Sequence, residues 1–216
     1  MPLRLANRWL LSLVAVLGWL GFALQQWVAA QAAVRAGHSP LRGMLDALCY
    51  FTVLTNLLLA VVVTGRLTGV RWVLLSSRAT LAAVAVYIFV VGLIYSLLLR
   101  SLWAPSGLHK IADALLHDVV PLCYILWWLC FAPKRGLAWS QPFKWLAWPL
   151  AYFVFLVLLG EVTGRYLYPF ADIAKLGLPT VLRNALLLLA LFWTLGLITV
   201  AVGGRATPRG MDASEA

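Results

Sequence analysis

The sequence predicts an all-α, polytopic membrane protein with six transmembrane helices in one bundle. Three observations carry this. Hydrophobic residues make up 63% of the 216, charged residues only 11%, and the mean hydropathy is +0.93, which leaves too little polar surface to coat a soluble globule. Six apolar runs are each close to the ~20 residues a helix needs to cross ~30 Å of hydrocarbon. Finally, the 17 basic residues fall singly between those runs, which argues for membrane topology and against a nucleic-acid surface, despite a net charge of +10.

The runs lie near residues 9–30, 45–64, 80–99, 111–132, 143–163 and 183–202, and nothing resembling a linker separates them, so 1–216 reads as a single membrane domain. The first run follows Arg4 and Arg8 and ends at Ala30-Gln31-Ala32, like a leader with a small-residue cleavage site. Its apolar stretch is long for a leader, so it reads as a signal anchor, with a cleaved peptide as the alternative. With the N-terminus inside, Arg4, Arg8, Arg66, Arg71, Arg78, Lys134, Arg135, Lys144, Arg205 and Arg209 face inward, ten basic residues against seven outside. That bias favours N-in and C-in. Trp27 and Trp103 at one face and Trp72, Trp127, Trp128, Trp139 and Trp145 at the other suit interfacial belts.

The three cysteines, Cys49, Cys123 and Cys130, sit in apolar runs without CxxC spacing and read as buried thiols. Pro121 and Pro149 are expected to shape spans four and five. No internal repeat or matched pair of broken helices marks an inverted-repeat transporter.

Polar groups inside hydrocarbon are costly, so each is a site candidate. Span two carries Asp46, Thr52, Thr55 and Asn56; span three ends at Tyr95 and Ser96; span four carries Asp113, His117 and Asp118; span five reaches Glu161; Tyr168-Pro169-Phe170 follows; and span six opens with Arg183 and Asn184. Under the N-in topology all of them occupy the outer half. Residues three or four apart share a helix face, so Cys49, Thr52 and Asn56 form one stripe and Asp113 and His117 another, with Asp118 directed elsewhere. Asp113 would hold the His117 imidazole in one tautomer, and His117 would then draw a proton from Thr52.

Each residue also has a plainer reading. Thr52, Thr55 and Asn56 are types that bond between membrane helices or back to the preceding turn. Glu161 is placed to pair with Arg165 or Arg183, and Tyr168-Pro169-Phe170 reads equally as an interfacial turn. His38, His109 and His117 share a side, but no two are one turn apart, so neither a metal nor another cofactor is expected.

Three elements, Tyr50-Phe51-Thr52-Val53-Leu54-Thr55-Asn56, Leu116-His117-Asp118-Val119-Val120-Pro121 and Tyr168-Pro169-Phe170, occur in an order that resembles the bacterial six-span Pr6Pr family. That family is similar to the animal androgen-induced-gene family of membrane hydrolases, which cleave fatty acid esters of hydroxy fatty acids with an intramembrane threonine and histidine. The resemblance runs from span two through span six. It implies Thr52 as nucleophile, His117 as base, and a bacterial inner membrane as the location. The animal members carry an aspartate about a turn after the threonine, where this chain has Thr55 and Asn56.

The reading is therefore a lipid-ester hydrolase with Thr52 and His117 as the catalytic pair. Asn56, Thr55, Asp113, Glu161, Asn184 and Tyr168 stand around it, and Asn56 or Asn184 donates to the oxyanion. The alternative is a carrier or binding protein that holds a lipid headgroup or other small molecule with the same cluster. Membrane lipids are the expected partners in both.

Overall fold

The computed structural model describes residues 2–69 and 77–205, with side chains described for 5–69 and 77–203. Of the basic and tryptophan residues counted above, Arg4, Arg71, Trp72, Arg205 and Arg209 have side chains outside that set. Among the described residues every regular element is helical, in the order α1 (Pro2–Arg35), α2 (Pro40–Leu48), α3 (Phe51–Thr68), α4 (Arg78–Ile94), α5 (Gly107–Ala114), α6 (Val120–Phe131), α7 (Gln141–Trp145), α8 (Ala147–Thr163), α9 (Ile173–Leu176) and α10 (Leu178–Arg205). A π-helical segment, Tyr95–Leu99, prolongs α4, and a second, Leu115–Val119, joins α5 to α6. Six segments are long and apolar enough to span a bilayer: Leu5–Arg35, Phe51–Thr68, Arg78–Leu102, Gly107–Phe131, Gln141–Thr163 and Leu178–Gly203. The chain is a six-span, all-helical integral membrane protein.

One predicted span is corrected. The run 45–64 is not one helix, because α2 ends at Leu48 and Tyr50 is extended at φ −88° and ψ 135° before α3 begins. Ser39 caps α2 by accepting from the Arg42 N–H at 3.3 Å, with Pro40 in the first turn where its missing donor costs nothing. Gly43 then lies against the Ala29 carbonyl of α1 so closely that a Cβ would collide with it. Gly43 and Ala47 are buried while Leu41 and Leu45 stay exposed. A nine-residue helix held in this way packs across the end of α1 and does not continue into α3. Cys49 consequently ends α2, its thiol directed to the Leu45 carbonyl, and leaves the stripe that Thr52 and Asn56 share.

The chain forms two compact units, Met1–Ala132 and Pro133–Ala216. In the first, small residues let backbones approach, as helix contacts in lipid require. Gly18 of α1 sits over Ala60 of α3, and a Cβ on Gly21 would lie 3.1 Å from Leu116 and 3.2 Å from Leu115. Gly92 of α4 meets the His117 carbonyl, which would be 3.0 Å from an added Cβ. Three polar ties set the registers: Trp19 Nε1 donates to Thr64 Oγ1 at 2.9 Å, Trp127 Nε1 to Asn7 Oδ1 at 2.8 Å, and Tyr124 Oη to the Leu81 carbonyl at 3.0 Å. Helices α1 and α3 are thereby antiparallel, as are α4 and α6.

In the second unit Gly196 of α10 accommodates Pro142 of α7, and Gly203 approaches the Lys134 carbonyl. Leu150, Val154, Leu158 and Val162 recur every four residues on α8 and are all exposed. Such an apolar stripe is a liability in water and a lipid contact in a membrane. Span five is interrupted at Leu146, between α7 and α8, and Pro149 in the first turn of α8 has no N–H to bond back across that break, in keeping with its expected shaping of the span.

Pro121 acts differently. Within the second π-helical segment the Val120 N–H bonds the Leu115 carbonyl, five residues back. The next bond in that register would run from residue 121 to the Leu116 carbonyl, and proline has no proton to give. The Asn56 side chain of α3 supplies it instead, Nδ2 donating to the Leu116 carbonyl at 3.1 Å and to the Thr52 carbonyl at 2.9 Å. Replacing Asn56 by Ala removes this donor from a fully buried site, so the protein should lose about 1–3 kcal/mol. Equilibrium unfolding in mixed micelles checks this, and an unchanged midpoint would show that the bond is not structural.

Candidate functional site in the first helical unit

The polar end of the first unit is built where the start of α3, the end of the α4 span and the start of the α5 span come together. Asp113 closes α5 and is buried; His117 stands in the π-helical segment that follows, with 13% of its side chain exposed. Its Nδ1 lies 3.1 Å from Asp113 Oδ1 and 3.0 Å from the Asp113 backbone carbonyl. Both are acceptors, so the nitrogen facing them carries the proton and Nε2 is left as the basic nitrogen. Asp113 and His117 are thus adjacent, with the hydrogen bond running to the Asp113 backbone carbonyl and the nearby Oδ1 buried without a hydrogen-bond partner.

Tyr95 completes the arrangement, and its role is not apparent from the sequence. It opens the first π-helical segment, is 4% exposed, and donates from Oη to Asp113 Oδ2 at 2.5 Å. Its ring stacks on the His117 imidazole with centroids 3.7 Å apart and planes 15° from parallel. Arg100 lies over the same tyrosine ring at 4.9 Å, donates to Ser96, and forms an ion pair with Asp118. Asp118 thus does point away from the Asp113–His117 face, as its spacing predicts. That outer pair is about half exposed and contributes little by itself.

Asn56 and Thr55 are both fully buried. The Asn56 Nδ2 protons both go to backbone carbonyls, and an amide has only two, so Asn56 cannot also serve an oxyanion. This corrects one of the two predicted donors. Turning the amide over would set its oxygen against two carbonyl oxygens, which fixes Oδ1 as the atom without a partner. In α1, Gln26 repeats the pattern: Nε2 donates to the Met44 carbonyl at 3.3 Å and Oε1 is buried without a partner.

Thr52 differs from three other helical threonines. Thr68, Thr163 and Thr199 each bond the carbonyl four residues back, at 3.0, 2.5 and 2.8 Å. Four residues before Thr52 is Leu48, across the break between α2 and α3. No such acceptor is in place, and among the described residues the half-buried Thr52 hydroxyl has no hydrogen-bond partner. Helices α3 and α5 run in the same direction, and the Asn56 Nδ2 reaches both the Thr52 and the Leu116 carbonyl, so those two carbonyls lie at similar height. The His117 ring, one residue beyond Leu116, folds back along its own helix to reach the Asp113 carbonyl.

The remaining predicted residues belong to the second unit. Glu161 accepts from the Tyr166 hydroxyl at 2.7 Å, a partner the sequence reading did not name. Asn184 donates from Nδ2 to the Phe170 carbonyl at 2.8 Å, which anchors the 3-10 turn Pro169–Ala171 against α10. Tyr168 is buried, stacked on Phe170 at 5.2 Å, with Tyr152 edge-on at 6.4 Å. These contacts give Asn184 and Tyr168 structural work in a turn. His38 lies beside Arg42 and His109 beside Trp103, and among the described residues no three His, Cys, Asp or Glu side chains gather as a metal site requires.

Comparison with known proteins gives no match, whether against family models, curated proteins or solved structures.

One titration follows from the second unit. Donation to Glu161 and the nearby carboxylate charge raise the exposed Tyr166 phenol above its ordinary range. Glu161→Gln should bring the Tyr166 ionisation back down, seen as tyrosinate absorbance appearing at lower pH than in the parent. Superimposed titrations would mean the bond is not populated.

Proposed function

We propose that the first unit hydrolyses a lipid carboxylic ester, with Thr52 as nucleophile and His117 as base. The reading is supported by the contrast between two side chains of the first unit: a threonine hydroxyl without a partner among the described residues, and an imidazole whose Nδ1 is held by Asp113. Threonine is a weak nucleophile unless an adjacent base takes its proton. In the proposed reaction His117 Nε2 removes the hydroxyl proton as Thr52 Oγ1 attacks the ester carbonyl. The imidazolium returns that proton to the departing alkoxide, and water, activated by the same nitrogen, releases the acyl group from Thr52.

The oxyanion needs donors other than the Asn56 amide. The backbone N–H groups of Thr52 and Val53 in the first turn of α3 would supply them, since the opening turn of a helix lacks intrahelical acceptors. The surrounding Leu and Val side chains favour a substrate with an acyl chain. In this proposal the chain is a relative of the Pr6Pr and androgen-induced-gene families, as the Tyr50–Asn56, Leu116–Pro121 and Tyr168–Phe170 elements suggest. It would sit N-in and C-in in a bacterial inner membrane, with its polar end toward the outer leaflet, as the distribution of basic residues favours.

A second reading is kept because Asn56 Oδ1 and Gln26 Oε1 are buried acceptors without donors. Such atoms suit a carrier or binding site for a headgroup that brings its own O–H or N–H. The two readings separate in detergent-solubilised protein given esters of hydroxylated fatty acids. Under hydrolysis, Thr52→Ala and His117→Ala abolish turnover and Thr52→Ser retains much of it. Asp113→Asn lowers kcat by about 10³–10⁴-fold, the scale seen when a triad histidine is left in the wrong tautomer. Equal turnover by all variants removes these residues from the chemistry, and saturable binding without product favours carriage.

A further inference from the structure

Tyr95 stands outside the catalytic pair, yet it touches both members of the Asp113–His117 couple. A buried carboxylate has two oxygens that each need a donor. Oδ2 receives the Tyr95 hydroxyl at 2.5 Å, while Oδ1, buried without a hydrogen bond of its own, lies 3.1 Å from His117 Nδ1, which bonds the Asp113 backbone carbonyl. The tyrosine ring meanwhile covers the imidazole at 3.7 Å, which prevents the ring from tilting away from the carboxylate. Both contacts depend on the local helix geometry. Each π-helical segment inserts one extra residue per turn, and Tyr95 opens one of them while His117 sits at the centre of the other. Gly92, one turn before Tyr95, lets the α4 backbone close on the His117 carbonyl and bring the segments together.

We infer that Tyr95 is a positioning residue that selects the His117 tautomer by dictating which way the Asp113 side chain faces. It contacts the imidazole by ring stacking alone and acts on the tautomer through Asp113. The role rests on the hydrolytic reading only in what the basic Nε2 is for. Tautomer choice itself is read without substrate, so it can fail or hold independently of catalysis.

The logic is clearest when the carboxylate is made asymmetric. In Asp113→Asn, the Tyr95 O–H still requires an acceptor and takes the amide oxygen, which turns the amide N–H₂ toward His117 Nδ1. The ring then shifts its proton to Nε2, although the Asp113 backbone carbonyl at 3.0 Å continues to favour Nδ1–H. Adding Tyr95→Phe keeps the stacked ring but removes the competing donor. The amide is then free to turn over and offer its oxygen to Nδ1–H, so the second substitution restores what the first disturbed.

The test uses full-length protein in detergent, with ¹⁵N-labelled histidine and with His38 and His109 changed to Gln so that His117 is the sole imidazole. Nitrogen shifts and couplings report which ring nitrogen is protonated, and circular dichroism confirms helical content in every variant. The parent should show Nδ1–H. Asp113→Asn should move the population toward Nε2–H, and Tyr95→Phe/Asp113→Asn should return it toward Nδ1–H. A tautomer ratio that is the same in the single and double variants would overturn the assignment, as would Nε2–H in the parent. Should the double variant not fold, Tyr95→Phe alone decides: the Nδ1–H resonance shifts if Tyr95 shares the Asp113 carboxylate, and identical His117 resonances overturn the role.

Discussion

The first unit depends on one missing proton. Pro121 cannot donate to the Leu116 carbonyl, and inside hydrocarbon no water stands ready to replace it. The α5–α6 span responds by widening into a π-helical segment, and α3 responds by lending the Asn56 amide. That single bond ties the helix bearing Thr52 to the helix bearing His117. It also sets their relative height, because Asn56 bridges the Thr52 carbonyl on its own helix and the Leu116 carbonyl next to His117. A proline that would merely bend a helix in isolation becomes the reason the helix bearing Thr52 is tied to the helix bearing His117.

The interruption between α2 and α3 has a comparable effect on Thr52. A threonine within a continuous helix ordinarily satisfies its hydroxyl on the preceding turn, as Thr68 and Thr199 do. By ending α2 at Leu48 and starting α3 at Phe51, the chain removes that acceptor and leaves the hydroxyl available. The same break places the first-turn N–H groups of Thr52 and Val53 next to it. Nucleophile and oxyanion donors would thus arise from one local feature, a helix start that lacks a side-chain cap.

Much of this was legible in the sequence, for physical reasons. Apolar runs of bilayer length have few other uses, so the six spans could be counted from hydropathy alone. Asp113 and His117 are four residues apart, a spacing that places them together even though a π-helical segment begins between them. The break at Cys49–Tyr50 was hidden because the flanking residues are as apolar as the helices, and only the close seat of Gly43 on Ala29 shows why α2 cannot run on. Tyr95 was seen as polar but not as a partner, since nothing in a sequence indicates which residues of separate spans share a level. Asn56 was placed in the right cluster and given the wrong task. Its protons are claimed by two backbone carbonyls, one of which is exposed only by a proline 65 positions along the chain.

The proposed hydrolysis requires the residue 52 side chain on α3 and the residue 117 side chain on the α5–α6 span to confront each other. Thiol cross-linking in membranes measures this directly, using Thr52→Cys/His117→Cys in a background where Cys49, Cys123 and Cys130 are replaced by Ala, and a short bifunctional thiol reagent. The account predicts rapid intramolecular bridging, detected as a cross-linked peptide pair, at a rate far above that of a control with Cys at 52 and at the lipid-exposed Leu122. Bridging no faster than that control would contradict it.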